Sequence, residues 1–196
     1  HYEVFLRRSN QSRALVGLPA GQVDSEILMP PLRRFIERCY EVADCGSFVE
    51  GLTLVNLLLE GMAYPLYAYE ERYWRPIDPY LARLVRSAFV DETRHVLYGA
   101  RLVKSLLADD PVQRTRAARL CAEARLALRE VFQYYVRLFV RMFDTVAKLH
   151  KELFAGIEMA PGKLIATTPY AEQIAIIHHS IDVEHNRMIT EAGLDL

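Results

Sequence analysis

Apolar residues recur at intervals of three and four positions through most of the chain, whereas the alternation typical of strands is scarce. This spacing places apolar side chains along one face of a helix. Four such stretches are long, and the connections between them are short. The sequence therefore predicts an all-α protein built on an antiparallel four-helix bundle with additional shorter helices.

Start signals define the long helices. Ser47 and Glu50 form a capping-box pattern, in which each side chain satisfies the other's free backbone N–H group. Asp78-Pro79 and Asp110-Pro111 each place a capping acid before a proline, and Thr168-Pro169 starts the last helix. The predicted helices run over about residues 47–72, 79–107, 112–154 and 170–191.

The beginning of the chain differs from the rest. Residues 1–30 contain Gly17, Pro19, Gly21 and Pro30, and we expect an irregular lead-in there. A short helix is predicted after Pro31. We expect residues 31–196 to form a single helical-bundle domain, because a chain of 196 residues is of ordinary single-domain size.

Histidine and acidic residues cluster on two of the predicted helices. His178, Asp182 and His185 follow i, i+4, i+7 spacing, so they share one stripe of the last helix, beside apolar residues. Burying these groups is costly unless something compensates them, and a metal ion can do so. Glu92 and His95 repeat the acid–imidazole pair at i, i+3 on the second long helix. Two such pairs on core-facing helices are the ligand pattern of two-metal carboxylate bundles.

In such bundles the other two helices each contribute a carboxylate. Glu60 lies among leucines and methionine in the first long helix, 32 residues before Glu92. Glu152 lies 30 residues before Asp182, so the two helix pairs repeat with nearly the same period. The third-helix alternatives, whose neighbours are more polar, are Glu130 and Glu123.

Residues 91–95, Asp-Glu-Thr-Arg-His, resemble the D-E-x-R-H motif of the ferritin-like dinuclear iron carboxylate proteins. The resemblance covers about residues 47–192 and implies a ferritin-like bundle that holds two iron ions. It implies six ligands: Glu60, Glu92, His95, Glu152, Asp182 and His185. It also implies that Asp91 and Arg94 orient the histidine of the opposite half-site.

The last helix departs from the motif. Ile181 and Glu184 stand where the family often has Asp and Arg, and Asp182 is shorter than the usual Glu. His178 resembles the additional ligand of the arylamine N-oxygenases in this family. The same H-x-x-x-D-x-x-H run resembles the haem-oxygenase-like dinuclear iron oxidases, which have a different helical fold. The D-E-T-R-H stretch favours the ferritin-like alternative.

Carboxylate and imidazole ligands suit iron, with manganese at one or both positions as the alternative. The predicted function is an O2-dependent oxidoreductase that oxidises a small apolar organic substrate by N-oxygenation, hydroxylation or a related reaction. Its electrons would come from an external donor or reductase, since the sequence carries no flavin, nicotinamide or P-loop fingerprint. The alternatives are a ferroxidase, another iron-handling or peroxide-scavenging protein, and a metal-free helical binding module.

Charge and composition limit the partners. The 24 basic and 25 acidic residues form no basic patch, which argues against nucleic acid. The three cysteines have no C-x-x-C spacing, and we expect a cytoplasmic protein that does not enter a membrane. The apolar content is compatible with a homodimer. Glu70 is expected on an ordinary solvated face, and Tyr64 in the helical core or near the metal site.

Overall fold

The computed structural model describes residues 2–21 and 30–194, and it confirms the all-α prediction. The helices are α1 (Tyr2–Leu15), α2 (Pro30–Cys45), α3 (Phe48–Leu52), a π-helix (Thr53–Glu60), α4 (Gly61–Trp74), α5 (Pro79–Leu106), α6 (Pro111–Leu149), a 3-10 helix (Lys151–Phe154) and α7 (Tyr170–Glu191). Two short antiparallel strands, β1 (Glu158–Ala160) and β2 (Lys163–Leu164), form a hairpin before α7.

The caps predicted at Ser47, Asp78 and Asp110 are present, whereas the N-cap of α7 is Pro169 and no side chain makes a capping bond there. The Ser47 hydroxyl accepts a hydrogen bond from the Glu50 amide at 3.3 Å, and the Ser47 amide donates to the Glu50 carboxylate at 2.8 Å. Asp78 and Asp110 accept from backbone amides three residues on, at 3.0 and 2.8 Å. Helices α3, π and α4 follow one another without a break from Phe48 to Trp74, as the periodicity predicts.

Two regions differ from the prediction. The lead-in, expected to be irregular, contains α1, because the glycines and prolines of that segment all follow Leu15 and none interrupts the helix. Residues 22–29 of the lead-in and residues 195–196 of the predicted domain lie outside the described ranges. Helix α6 runs for 39 residues, about 60 Å, and ends at Leu149. Residues 151–154, predicted to continue it, form the 3-10 helix.

The long helices pack around a shared apolar core. Helix α4 packs against α5 and α7, the π-helix against α5 and α6, and α7 also contacts α5 and α6. Leu54, Leu57 and Leu58 of the π-helix are fully buried, so the segment that leads to Glu60 lies in the apolar core between the long helices. Across the described ranges, no helix combines the length and the apolar character needed to cross a membrane.

Candidate metal centre

Three of the predicted ligands form one compact cluster. Glu60, Glu92 and His95 each offer a ligand atom within 4.8 Å of the others, and within residues 2–21 and 30–194 this is the one such group of three or more. His95 Nδ1 lies 3.1 Å from Glu92 Oε2 and 3.8 Å from Glu60 Oε1. Glu92 and His95 are neighbours on one turn of α5, whereas Glu60 comes from a different helix.

The π-helix sets the face on which Glu60 lies. Its i→i+5 hydrogen bonds take more residues per turn than an α-helix does, so residues after it are rotated relative to a regular helix. Glu60 is the last residue of this segment. Apolar residues spaced three and four positions apart predict a helix but do not distinguish a π-helix from an α-helix. The direction in which the Glu60 side chain points therefore cannot be predicted from this spacing. Such segments occur frequently at functional sites.

Close packing of α5 on the π-helix holds Glu60 in place. The Asn56 side-chain amide donates a hydrogen bond to Glu60 Oε2 at 2.7 Å. Asn56 lies against Gly99 of α5, where an added Cβ would come within 2.5 Å of the Asn56 Cβ. Glycine is required at this position because any other side chain would push Asn56, and with it the bond to Glu60, out of place.

The electrostatics of the cluster favour a cation. Burial and then the negative charge of Glu92 raise the pKa of Glu60, while the hydrogen bond from Asn56 and the neighbouring His95 act in the opposite direction. The side chains of Glu60 and Glu92 are 20% and 15% exposed, and that of His95 is 53% exposed. Two adjacent carboxylates with an imidazole at the rim are a donor set that suits iron, manganese or zinc.

His185 of α7 packs against Gly61, the residue that follows Glu60. Its ring is completely buried, and it contacts the backbone of Leu57, which acts to raise its pKa. Its Cδ2 lies 3.6 Å from the position that a Cβ on Gly61 would take, beside Glu60. Burial, and then the charge of Arg125, lower the pKa of His185 to about 3. The imidazole is therefore neutral, which is the form that binds metals.

The other predicted ligands on α7 lie outside the cluster. Asp182 accepts a hydrogen bond from Arg129 at 3.0 Å and lies 3.9 Å from Arg125. Arg125 also donates to Asn186 at 2.6 Å. Helix α6 thus places two arginines, not a carboxylate, beside Asp182. The buried Nε2 of His178 has no hydrogen-bond partner among the described residues, and burial lowers the pKa of this histidine.

None of the candidate third-helix acids joins the cluster. Glu152 follows the end of α6 in the 3-10 helix, its side chain is 74% exposed, and its carboxylate lies 3.7 Å from His150. It is not one of the interior acids that the sequence pattern implied. The two alternatives are also exposed, with Glu130 near Arg34 and Glu123 near Arg119.

Asp91 and Arg94, which the resemblance predicts to orient a histidine, lie close to each other on α5. Asp91 and Arg94 lie 3.6 Å apart, and the Arg94 side chain is largely exposed. Glu184 stands where the resembled family often has Arg. Its carboxylate accepts hydrogen bonds from the Tyr64 hydroxyl at 2.6 Å and from Arg187 at 2.9 Å. Tyr64 therefore contacts α7 through Glu184, and burial together with this bond raises its pKa to about 12.

Glu70 is buried, which differs from the sequence prediction. Glu70 was expected on a solvated face, but it is 7% exposed, and its Oε1 accepts a hydrogen bond from the Tyr135 hydroxyl at 2.7 Å. The buried residues Leu66 and Tyr73 lie four residues before it and three after it, so helical periodicity does place Glu70 on the buried stripe of α4.

A scan against models of protein families found no match for this chain, and a search of curated proteins found none either. The functional argument therefore rests on the residues of the cluster and on their surroundings.

Proposed function

We propose that the protein is an iron-dependent oxidoreductase that uses O2 to oxidise a small organic substrate, with iron bound by Glu60, Glu92 and His95. The observation that supports this is the meeting of two carboxylates and an imidazole, from two helices, within 4.8 Å. Iron bound there would supply a ferrous–ferric couple and the activation of O2.

The chain's own residues prepare the site for a cation. Glu60 and Glu92 supply adjacent negative charge in a mostly buried position, and Asn56 holds the Glu60 carboxylate in a fixed orientation. The packing of Gly99 on Asn56 extends this support to α5. Ligand orientation by such surrounding contacts commonly changes metal affinity by about 10- to 100-fold.

A two-ion form of the site would draw on α7. His185 is buried and neutral, and it packs against Gly61, the residue after Glu60, so it is the α7 residue best placed to bind a second metal ion. Asp182 would have to exchange its hydrogen bond with Arg129 for a metal ligand. We therefore propose that the Glu60–Glu92–His95 half of the site takes the first ion.

Metal analysis tests the first step. Protein purified from iron-supplemented cells, or titrated anaerobically with ferrous ion, should hold about one iron per chain or more. Glu92→Gln and His95→Ala should remove this iron, whereas the surface control Glu41→Gln should retain it. Less than about half an iron per chain, with no difference between these variants, would contradict the proposal.

Reaction with O2 tests the second step. A pulse of O2 added to the anaerobically reduced protein should give a transient optical band before the ferric state forms. A direct return to a stable ferric state would favour a ferroxidase instead. That second candidate is supported by the exposure of His95, which is 53%, because an open rim allows ferrous ion to enter and leave. Sustained oxidation of excess ferrous ion without an organic substrate would identify it.

A further inference from the structure

A cavity of about 350 Å³ lies between α1, α4 and α6. Four aromatic side chains line it, Phe5, Tyr67, Phe132 and Tyr135, and most of the remaining lining is aliphatic. This volume is at the lower end of the range for small-molecule sites. The cavity therefore suits a compact ligand with an apolar body.

The one ionisable carboxyl in the lining is Glu70. It is nine-tenths buried, and across residues 2–21 and 30–194 its hydrogen-bond partner is the Tyr135 hydroxyl, with no arginine or lysine paired to it. Burial raises the pKa of Glu70 to about 7, and only the Tyr135 hydrogen bond opposes this effect. A buried carboxylate without a cation is costly, so a bound cation would stabilise it.

We propose that this cavity binds a small organic ammonium ion, with its nitrogen against Glu70 and its apolar body among the aromatic rings. A carboxylate supplies the opposite charge, and aromatic faces attract the cation and the apolar groups attached to it. A carboxylate-bearing ligand is disfavoured because it would be buried beside Glu70. A neutral ligand of the same shape would lack the ion pair.

Tyr67, which lines the cavity, connects it electrostatically to the Glu60–Glu92–His95 cluster. Glu60 ends the π-helix directly before α4, and Ala63 and Tyr67 of α4 follow it at i+3 and i+7. Tyr67 lies within electrostatic reach of both sites: after burial, the carboxylates of Glu70, Glu92 and Glu60 raise its pKa to about 12. If the proposed iron function holds, on which this step rests, the ammonium end of the substrate is held at Glu70 and its apolar end faces the cluster.

Binding is measured on metal-free protein, so that it does not depend on the iron proposal. Benzylammonium, benzyl alcohol and benzoate share a ring and differ in charge, and each is titrated calorimetrically at about pH 8, where Glu70 is charged. Benzylammonium should bind saturably at one site per chain, at least about tenfold more tightly than benzyl alcohol, and benzoate should bind weakest. Equal affinities for the amine and the alcohol would overturn the proposal.

Two variants and a control assign the site. Glu70→Gln still offers an oxygen to the Tyr135 hydroxyl, and it should weaken benzylammonium at least about tenfold while leaving benzyl alcohol unchanged. Ala63→Leu keeps the charge and fills the cavity, so it should weaken both ligands. Glu41→Gln removes an exposed carboxylate and should change neither. If the Glu70→Gln protein does not fold, the Ala63→Leu result decides, and unchanged benzylammonium affinity in that variant would overturn the proposal.

Manganese tests the position of the cavity relative to the cluster. With Mn²⁺ bound, the ring protons of benzylammonium should broaden in the NMR spectrum, and Zn²⁺ should not broaden them. Binding without broadening on the manganese-loaded protein would overturn the orientation toward the cluster. Failure of Mn²⁺ to bind, with amine binding intact, would contradict the metal centre and support the cavity as a separate ammonium site.

Discussion

The two acid–imidazole pairs of this chain have the same i, i+3 spacing and different surroundings. Glu92 and His95 of α5 meet Glu60, which the neutral Asn56 amide holds in place. Asp182 of α7 meets Arg129 and Arg125 of α6 instead. One pair faces another carboxylate, and the other faces guanidinium groups.

The difference indicates which of the two pairs is the better candidate for a metal site. Two adjacent carboxylates favour a bound cation or proton, whereas a carboxylate next to arginine is already paired with a cation. Glu70 resembles the first group only in that its hydrogen-bond partner is not a cation but the Tyr135 hydroxyl. We therefore propose that Glu60, Glu92 and Glu70 favour a bound cation, whereas Asp182 of α7 is already paired with Arg129.

The largest expected effect separates the two pairs directly. Glu92→Gln removes a ligand and half of the negative charge, so it should lower the affinity for ferrous or cobaltous ion by more than about 100-fold, beyond what orienting residues contribute. Asp182→Asn should change the affinity for the first ion less than about threefold, because Asp182 is engaged by Arg129. Anaerobic metal titration of the two variants measures both, and equal losses would remove the distinction between the pairs.

The second effect is a pH dependence of stability that arises from Glu70. Its pKa is raised from the ordinary value of 4.5 to about 7 in the folded protein, so the folded state binds the extra proton. Its stabilising contribution is complete below about pH 4.5 and is lost as the pH rises through about 7.

Urea unfolding at about pH 5 and about pH 8 measures this contribution. The wild type should lose about 2 kcal/mol more than Glu70→Gln over that interval, since each pKa unit corresponds to about 1.4 kcal/mol. The difference between the two proteins isolates Glu70 from groups that titrate in both. Parallel pH profiles would show that Glu70 is ionised without penalty.

The third effect concerns the packing that holds Glu60. Gly99→Ala places a Cβ within 2.5 Å of the Asn56 Cβ, and it should lower the free energy of unfolding by about 1–3 kcal/mol and weaken metal binding. Gly51→Ala is the matched control, because an added Cβ there meets nothing within 4 Å. It should raise stability by up to about 1 kcal/mol. Chemical denaturation of both variants provides the test, and a stabilising Gly99→Ala would show that the helices separate easily.

The smallest effect is expected on the α7 side. Arg129→Gln removes the hydrogen-bonded cation from Asp182, and both side chains are partly exposed, so stability should change by less than about 1 kcal/mol. The freed carboxylate should raise the affinity for a second metal ion by a few-fold, measured as the second equivalent in a cobalt titration. An unchanged second equivalent would mean that Arg129 does not limit metal binding at Asp182.

Local signals predicted the helices well. Ser47, Asp78 and Asp110 each make the capping bond that their sequence context indicates. These bonds join residues three apart, so no tertiary contact is needed to foresee them. Helix α1 differs from the predicted irregular lead-in because the glycines and prolines of residues 1–30 all lie after Leu15, outside the helix Tyr2–Leu15.

Only the part of the candidate site that is formed by residues close together in the sequence was predictable. Glu92 and His95 are neighbours in any α-helix, and the sequence places them together without knowledge of the fold. Period counting selected Glu152, but α6 ends at Leu149 and leaves that residue exposed. The break has no glycine or proline to announce it.

By itself the sequence determined the helical class, the caps and the acid–imidazole pairs, because these depend on spacings of three or four residues. Tertiary structure decided which pair meets a carboxylate and which meets arginine. It did so through the π-helix before Gly61, the contact of Gly99 with Asn56, and the rotation of α6 that turns Arg125 and Arg129 toward α7. These contacts join residues far apart in the chain, and small rotations of a helix change which charges they bring together.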